Sequence, residues 1–325
     1  MRLATLDDGS RDGRLVVVNR ALTRVADAGD IAPNLLHALE HWQDAAPRLN
    51  QRFNELEKGA LEGQPFAPEK LMSPLPRCWQ FLDGSAYLPH VERVRKARGA
   101  DMPPSFLHDP LMYQAVCDSF LAPTEPIRVA DTSWGIDFEA EVGVIVDDVP
   151  MGVGVAEAGV HIQLLVILND VSLRNLIPAE LAKGFGFLQS KPRSSLGPVA
   201  ITPDELGPAW REHKIHLPLI STYNGQLFGR PEAGEDMQFD FAQLIAHAAR
   251  TRPLAAGTLI GSGTIANQDT RRGASCLAEK RMLEIIEQGQ ARTPFMAFGD
   301  TIRIEMLDSD GHSLFGAIEQ TVQPS

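Results

Sequence analysis

The sequence predicts a strand-rich α+β fold, and three observations carry that expectation. From residue 77 onward, short apolar runs bounded by turn residues dominate. Strands and helices do not alternate regularly, so a parallel βαβ sheet is not indicated. Neither a G-x-G-x-x-G loop nor a Walker loop is present.

The elements follow in order. Leu3 to Leu6, DGSRDG and Leu15 to Val18 read as a hairpin. Leu35, Leu36, Leu39 and Trp42 then recur at helical spacing, with Pro33 and Asn34 near the start. Leu49, Phe53 and Leu56 continue that pattern. A Pro-rich join from Pro65 to Pro76 suggests a boundary, giving a small N-terminal α+β domain over 1–75 and a larger domain over 76–325. VHIQLLVILND, Val160 to Asp170, is a continuous apolar run that suits a buried strand. Asn224-Gly225 between two strand-like runs signals a type I′ hairpin. Met237 to Arg250 reads as an amphipathic helix, with Phe241, Leu244, Ile245 and Ala248 on one side. Asp310-Gly311 marks another turn near the end.

Composition narrows the function. A formal charge of −12 argues against a nucleic-acid partner and against an anionic membrane surface. Three widely spaced cysteines, Cys78, Cys117 and Cys276, fit a reducing compartment better than a disulfide framework. The start has no apolar core of a signal peptide, and no apolar run approaches the length of a membrane span. The expected location is the cytoplasm.

One stretch asks for explanation. In WGIDFEAEVGVIV, Trp134 to Val146, apolar residues alternate with Asp137, Glu139 and Glu141. Residues two apart on a strand point the same way, so the three carboxylates share a face. An acidic row is more often a solvated strand face. The alternative is convergence on a hard divalent cation, which prefers oxygen ligands. Asp170 ends the apolar run and is a good third ligand; its plainer reading is a helix cap or turn residue, since Ser172 to Leu176 could begin a helix. Lys191 stands in a Gly/Pro/Ser-rich loop, and Asp83, Tyr87, His90 and Arg98 lie upstream.

In order and approximate spacing, these residues resemble the fumarylacetoacetate hydrolase family over roughly residues 77–325. The marks are Glu139-x-Glu141, Asp170 about 30 residues on, Lys191 about 20 beyond, then Gly263-Thr264-Ile265 and Glu279. The resemblance implies a β-roll with flanking helices, usually a homodimer. It implies that Glu139, Glu141 and Asp170, with Asp83 as a fourth carboxylate, hold magnesium, manganese or calcium. His90 would activate water, Glu279 would orient its imidazole, and Lys191 would complete the catalytic set. Arg98, Tyr113, Thr264 and Tyr87 would contact substrate, and Arg174 would stand behind the site. Asp137 reads as a flanking residue rather than a ligand. Ala86 replaces the Asn that smaller members carry in Asn-Tyr-x-x-His, and the glutamine and tyrosine of fumarylacetoacetases proper have no clear equivalents after Arg174.

The implied activity is hydrolysis of a carbon–carbon bond in a 1,3-diketo acid, such as fumarylacetoacetate or an acylpyruvate, in aromatic catabolism. Basic residues would bind the distal carboxylate of a dianionic substrate. The alternatives are a lyase on the same site, decarboxylating oxaloacetate or hydrating a 2-oxo-enoic acid, and a purely structural ion. The His90–Glu279 pair favours hydrolysis, because hydrolysis needs activated water.

Overall fold

The structure is a computed structural model that describes residues 1–97 and 104–325. Arg98 therefore lies outside the described residues.

The chain opens as its turn signals predict. Strand Arg2–Leu6 pairs antiparallel with Arg14–Val18, with Leu3 opposite Val17. Strand Arg24–Asp27 extends that sheet. The helical pattern forms two helices, α1 (Leu35–Glu40) and α2 (Trp42–Glu57), separated at His41. Asn34 caps α1 by accepting from the His37 N–H. Strand Arg2–Leu6 also pairs with Ala200–Ile201, so the opening hairpin is continuous with the main sheet.

That sheet has twelve strands among the described residues. At its centre lie Ile162–Asn169, Ala140–Val146, Leu259–Gly261 and Phe81–Gly84, in that order. Leu164 to Leu168 are all apolar because both faces of this strand are covered. Leu165 and Ile167 join a core shared with Ile302 and Ile304 of the second, five-stranded sheet. Leu164, Val166 and Leu168 join another, beneath Leu35, Leu49 and Phe53 of α1 and α2. Each such side chain contributes about 1.5–3 kcal/mol on burial. The Asn224-Gly225 turn closes a hairpin in the smaller sheet, both residues having positive φ (49° and 73°), as a type I′ turn requires. Gly311 is likewise left-handed at φ 84° in the last turn.

Five further helices flank the sheets: α3 (Leu88–Ala97), α4 (Val155–Ala158), α5 (Ile177–Leu181), α6 (Phe241–Ala248) and α7 (Leu277–Gln288). The expected helix from Met237 begins only at Phe241. Asp240 and Gln243 close a reciprocal capping box there, at 2.9 Å in each direction. No described helix is long and apolar enough to cross a membrane.

Two expectations are corrected here. Ser172 to Leu176 does not begin a helix: Ser172–Leu173 is a short strand paired with Ile136–Asp137. The backbone N–H groups of Leu173, Arg174 and Asn175 donate to the Ser190, Gly135 and Trp134 carbonyls, which ties this stretch to its neighbours in extended pairing. The acidic row, moreover, is not a solvated face. Asp137, Glu139 and Glu141 are all buried, and the strand is interrupted at Phe138 and Glu139.

Candidate active site

The central strands deliver their chemistry at one end. Asp83 sits in Phe81–Gly84, opposite Gly261 on one side and Tyr113 on the other. Glu141 lies one step into Ala140–Val146, and Asp170 follows the last residue of Ile162–Asn169. Gly263 turns the chain beside them with φ 77°, where a Cβ would stand 2.3 Å from the Gly84 carbonyl. Its N–H donates to Asp83 at 3.2 Å.

The three carboxylates of the row have three destinations. Asp137 accepts from the Leu277 and Ala278 N–H groups at 2.7 and 2.9 Å, pinning the first turn of α7, and from Arg174 Nε at 2.8 Å. These contacts tie Asp137 to α7 and Arg174. Glu139 accepts from Lys191 at 3.0 Å and from the Ser172 hydroxyl at 3.2 Å. Arg174 Nη2 stands 2.5 Å from the oxygen that accepts from Ser172, as an ion pair without hydrogen-bond alignment. Burial would push the Glu139 carboxyl up, but Arg174 and Lys191 outweigh it and hold it well below the carboxylate range.

Glu141 is different. Both its oxygens are buried and neither has a hydrogen-bond partner. Oxygens of Asp83, Glu141 and Asp170 lie within 4.8 Å of one another. Burial, then the neighbouring carboxylates, push the Asp83 and Glu141 carboxyls well above their usual range. Three carboxylates face one ammonium, Lys191, which donates to Asp170 at 2.6 Å. Lys191 is shared with Glu139, so carboxylates outnumber cations here, an excess that a divalent cation would offset. Hard oxygen donors with an orphaned carboxylate among them fit magnesium, manganese or calcium. Ser194 and Tyr113 also donate to Asp170, each at 2.6 Å, and fix its orientation.

Lys191 is buried. Burial alone would lower its pKa, yet Asp170 and Glu139 raise it, so it stays an ammonium. It stands 5.5 Å over the Tyr113 ring. His90 on α3 pairs through Nδ1 with Glu279 at 3.1 Å, Glu279 being in the first turn of α7. An ionised carboxylate only accepts, so in the neutral imidazole Nδ1 carries the proton and Nε2 the lone pair. Arg93, one turn along α3, donates to the other oxygen of Glu279 and to the Asn267 carbonyl. Cys276 lies beside the pair as the α7 N-cap, its thiol pushed up by burial.

A cavity of about 440 Å³ opens over these groups, lined by Asp83, His90, Tyr113, Glu139, Lys191 and Thr264 among others. So the structure brings together His90, Glu279, Lys191, Tyr113, Thr264, Glu139, Glu141, Asp170 and Asp83. It does not bring Tyr87 to the cavity: that ring is buried, and its hydroxyl donates to the Ala233 carbonyl at 2.6 Å. Arg93 and Ser194 escaped the sequence reading. The i, i+3 spacing from His90 was a usable signal for Arg93; Ser194 sits in a loop that carries none.

Comparison with known proteins gives two family matches. Residues 80–323 match the model of the fumarylacetoacetate hydrolase C-terminal region, and residues 1–77 that of the fumarylacetoacetase N-terminal domain 2. A manganese- and pyruvate-bound maleylpyruvate hydrolase from Sphingobium sp. SYK-6 superposes with a TM-score of 0.67 at 17% identity, over 100% of both chains. A fumarylacetoacetate hydrolase from psychrophilic Exiguobacterium antarcticum gives 0.64 at 16%, also over 100% of both. A 2,4-didehydro-3-deoxy-L-rhamnonate hydrolase from Sphingomonas sp. (strain SKA58) is 29% identical over 161 residues, 48% of this chain. That match spans 53% of the relative, so the chain covers about half the length of the curated protein it resembles.

Proposed function

The chain belongs to the fumarylacetoacetate hydrolase family, and from that premise we propose that it is a metal-dependent hydrolase cleaving a carbon–carbon bond in a 2,4-dioxo acid. One observation carries the reading: a His–Glu pair and a buried carboxylate cluster share a cavity with a lysine ammonium.

Asp83, Glu141 and Asp170, with Glu139 at the edge, would hold the cation. A divalent ion there would supply a Lewis acid that polarises substrate carbonyl oxygens. The chain's own groups do the rest. His90 Nε2 takes a proton from water, and the hydroxide oxygen bonds to the acyl carbonyl carbon. Glu279 and Arg93 keep the imidazole oriented as it becomes charged. The bond from the acyl carbon to the neighbouring methylene breaks, and its electron pair goes to the pyruvyl fragment as an enolate. The Lys191 ammonium is fixed positive charge beside that developing anion. The enolate carbon takes the proton back from His90, leaving a carboxylic acid and a 2-oxo acid. Tyr113 and Thr264 surround the substrate oxygens. The curated relative with similar sequence is a hydrolase by name, and the manganese- and pyruvate-bound neighbour supports the cation and the 2-oxo acid end.

The test is product analysis with metal-loaded protein and acetylpyruvate. Two acids in equal amounts are expected, with none formed after chelation. Carbon dioxide from oxaloacetate, or a single hydrated or isomerised product from a 2-oxo-enoic acid, with acetylpyruvate untouched, would overturn it.

A further inference from the structure

Two of the three cysteines lie side by side, far apart in sequence. Cys78 precedes the strand Phe81–Gly84, and Cys117 follows Met112–Ala115, the strand that pairs antiparallel with it. The Cys78 N–H donates to the Cys117 carbonyl at 2.9 Å, and the Phe120 N–H to the Pro76 carbonyl at 2.8 Å. The two segments are therefore joined on both sides of the cysteines. A single backbone bond of that length holds the two Cα atoms within about 7 Å of each other, the outer limit for a disulfide. Both side chains pack on one hydrophobic cluster, together with Phe81 and Phe120.

Both thiols are free, and their contacts are weak. Cys78 Sγ meets the Gln80 carbonyl at 3.1 Å, and Cys117 Sγ the Trp79 carbonyl at 3.9 Å. A turn about χ1 releases either one. Cys78 is buried and Cys117 half-buried. Burial pushes the Cys78 thiol up, so Cys117 is the group that meets a reagent first. Cys276, the α7 N-cap, is fully buried beside Glu279.

We propose that Cys78 and Cys117 are a modification site, bridged reversibly by a low-molecular-weight disulfide such as glutathione disulfide. The Cys117 thiolate attacks one sulfur of the reagent, whose S–S bond breaks and releases one thiolate. The Cys78 thiolate then attacks Cys117 Sγ, and the mixed disulfide breaks to release the second. The two cysteine protons end on the two released thiols, so two protein thiols are oxidised and one reagent disulfide is reduced. The bridge closes a ring of about 40 residues that contains Asp83, His90, Arg93 and Tyr113. It staples the segment that brings these side chains to the site, at the end of the strand pair remote from Gly84 and Met112.

The experiment incubates the full chain with glutathione disulfide, alkylates the remaining thiols and maps the peptides without reduction. A linked Cys78–Cys117 pair is expected, two hydrogens lighter than its separate peptides and cleaved by dithiothreitol, with Cys276 still reduced. The melting temperature should rise by about 4 °C or more and fall back on reduction. Cys78→Ser should stop at a Cys117–glutathione mixed disulfide, and Cys117→Ser should form no bridge. Mapping of the parent chain decides the matter even if a variant fails to fold. A persistent mixed disulfide on Cys117 in the parent, a bridge to Cys276 or between two copies, or no reaction overturns the site. A Cys78–Cys117 bridge that leaves the melting temperature unmoved overturns the staple.

Discussion

Glu141 has two buried oxygens and no donor, between Asp83 and Asp170. Within 4.8 Å a pair of like charges repels by roughly 3 kcal/mol or more at an effective dielectric near 20. Glu141→Gln should therefore raise the melting temperature of the metal-free protein while weakening manganese affinity by at least tenfold. A scan with and without chelator checks both signs. Lys191→Met should do the opposite to the metal-free protein, because Asp170 and Glu139 lose their shared cation. Arg93→Gln leaves Glu279 with His90 as its described side-chain partner. Steady-state kinetics should show kcat lowered about tenfold or more with KM little changed, and Arg93→Lys should restore part of it. At this scale the sequence was informative where a motif fixes residue identity, as with Glu139-x-Glu141, Asp170 and Lys191. It could not separate the three carboxylates of the acidic row. Their partners, the α7 N-terminus, Arg174 and Lys191, and Asp83 with Asp170, come from distant segments.

Among the elements, α5 and the loop after it decide where Lys191 stands. Glu180 accepts from the Leu188, Gln189 and Ser190 N–H groups at 3.1, 2.7 and 3.0 Å and from the Ser190 hydroxyl at 2.5 Å. The Ser190 hydroxyl first, then those N–H groups, pull its carboxyl down to about 2 against burial. A carboxyl depressed on folding contributes stability above its unfolded value, about 4.3, and loses it as pH falls toward the folded value. The clamp should thus weaken between about pH 4.5 and 2. Glu180→Ala should cost about 1–3 kcal/mol at pH 7 and reduce kcat by freeing the Lys191 loop. Matched denaturation curves at pH 7 and pH 3 check it, since the difference between variant and parent should shrink in acid. Elements with turn or cap chemistry were legible beforehand: the Asn224-Gly225 hairpin, the opening hairpin and the buried Ile162–Asn169 strand. Ser172–Leu173 was not, because its conformation is set by Gly135, Trp134 and Ser190, which no local pattern reveals.

Across the whole molecule, the two sheets bury a core on each face of the central strands and leave their charged ends converging in one cavity. A site that is electrostatically incomplete without a cation couples metal to stability. Chelation should lower the melting temperature, with the loss reversed by adding the ion back. The most direct measurement is a calorimetric titration of manganese into the metal-stripped chain and into its Glu141→Gln variant. One ion per chain, bound at least tenfold more weakly by Glu141→Gln, is the result expected of a metal centre at Asp83, Glu141 and Asp170. Equal affinity in the two proteins, or no binding to either, would contradict it.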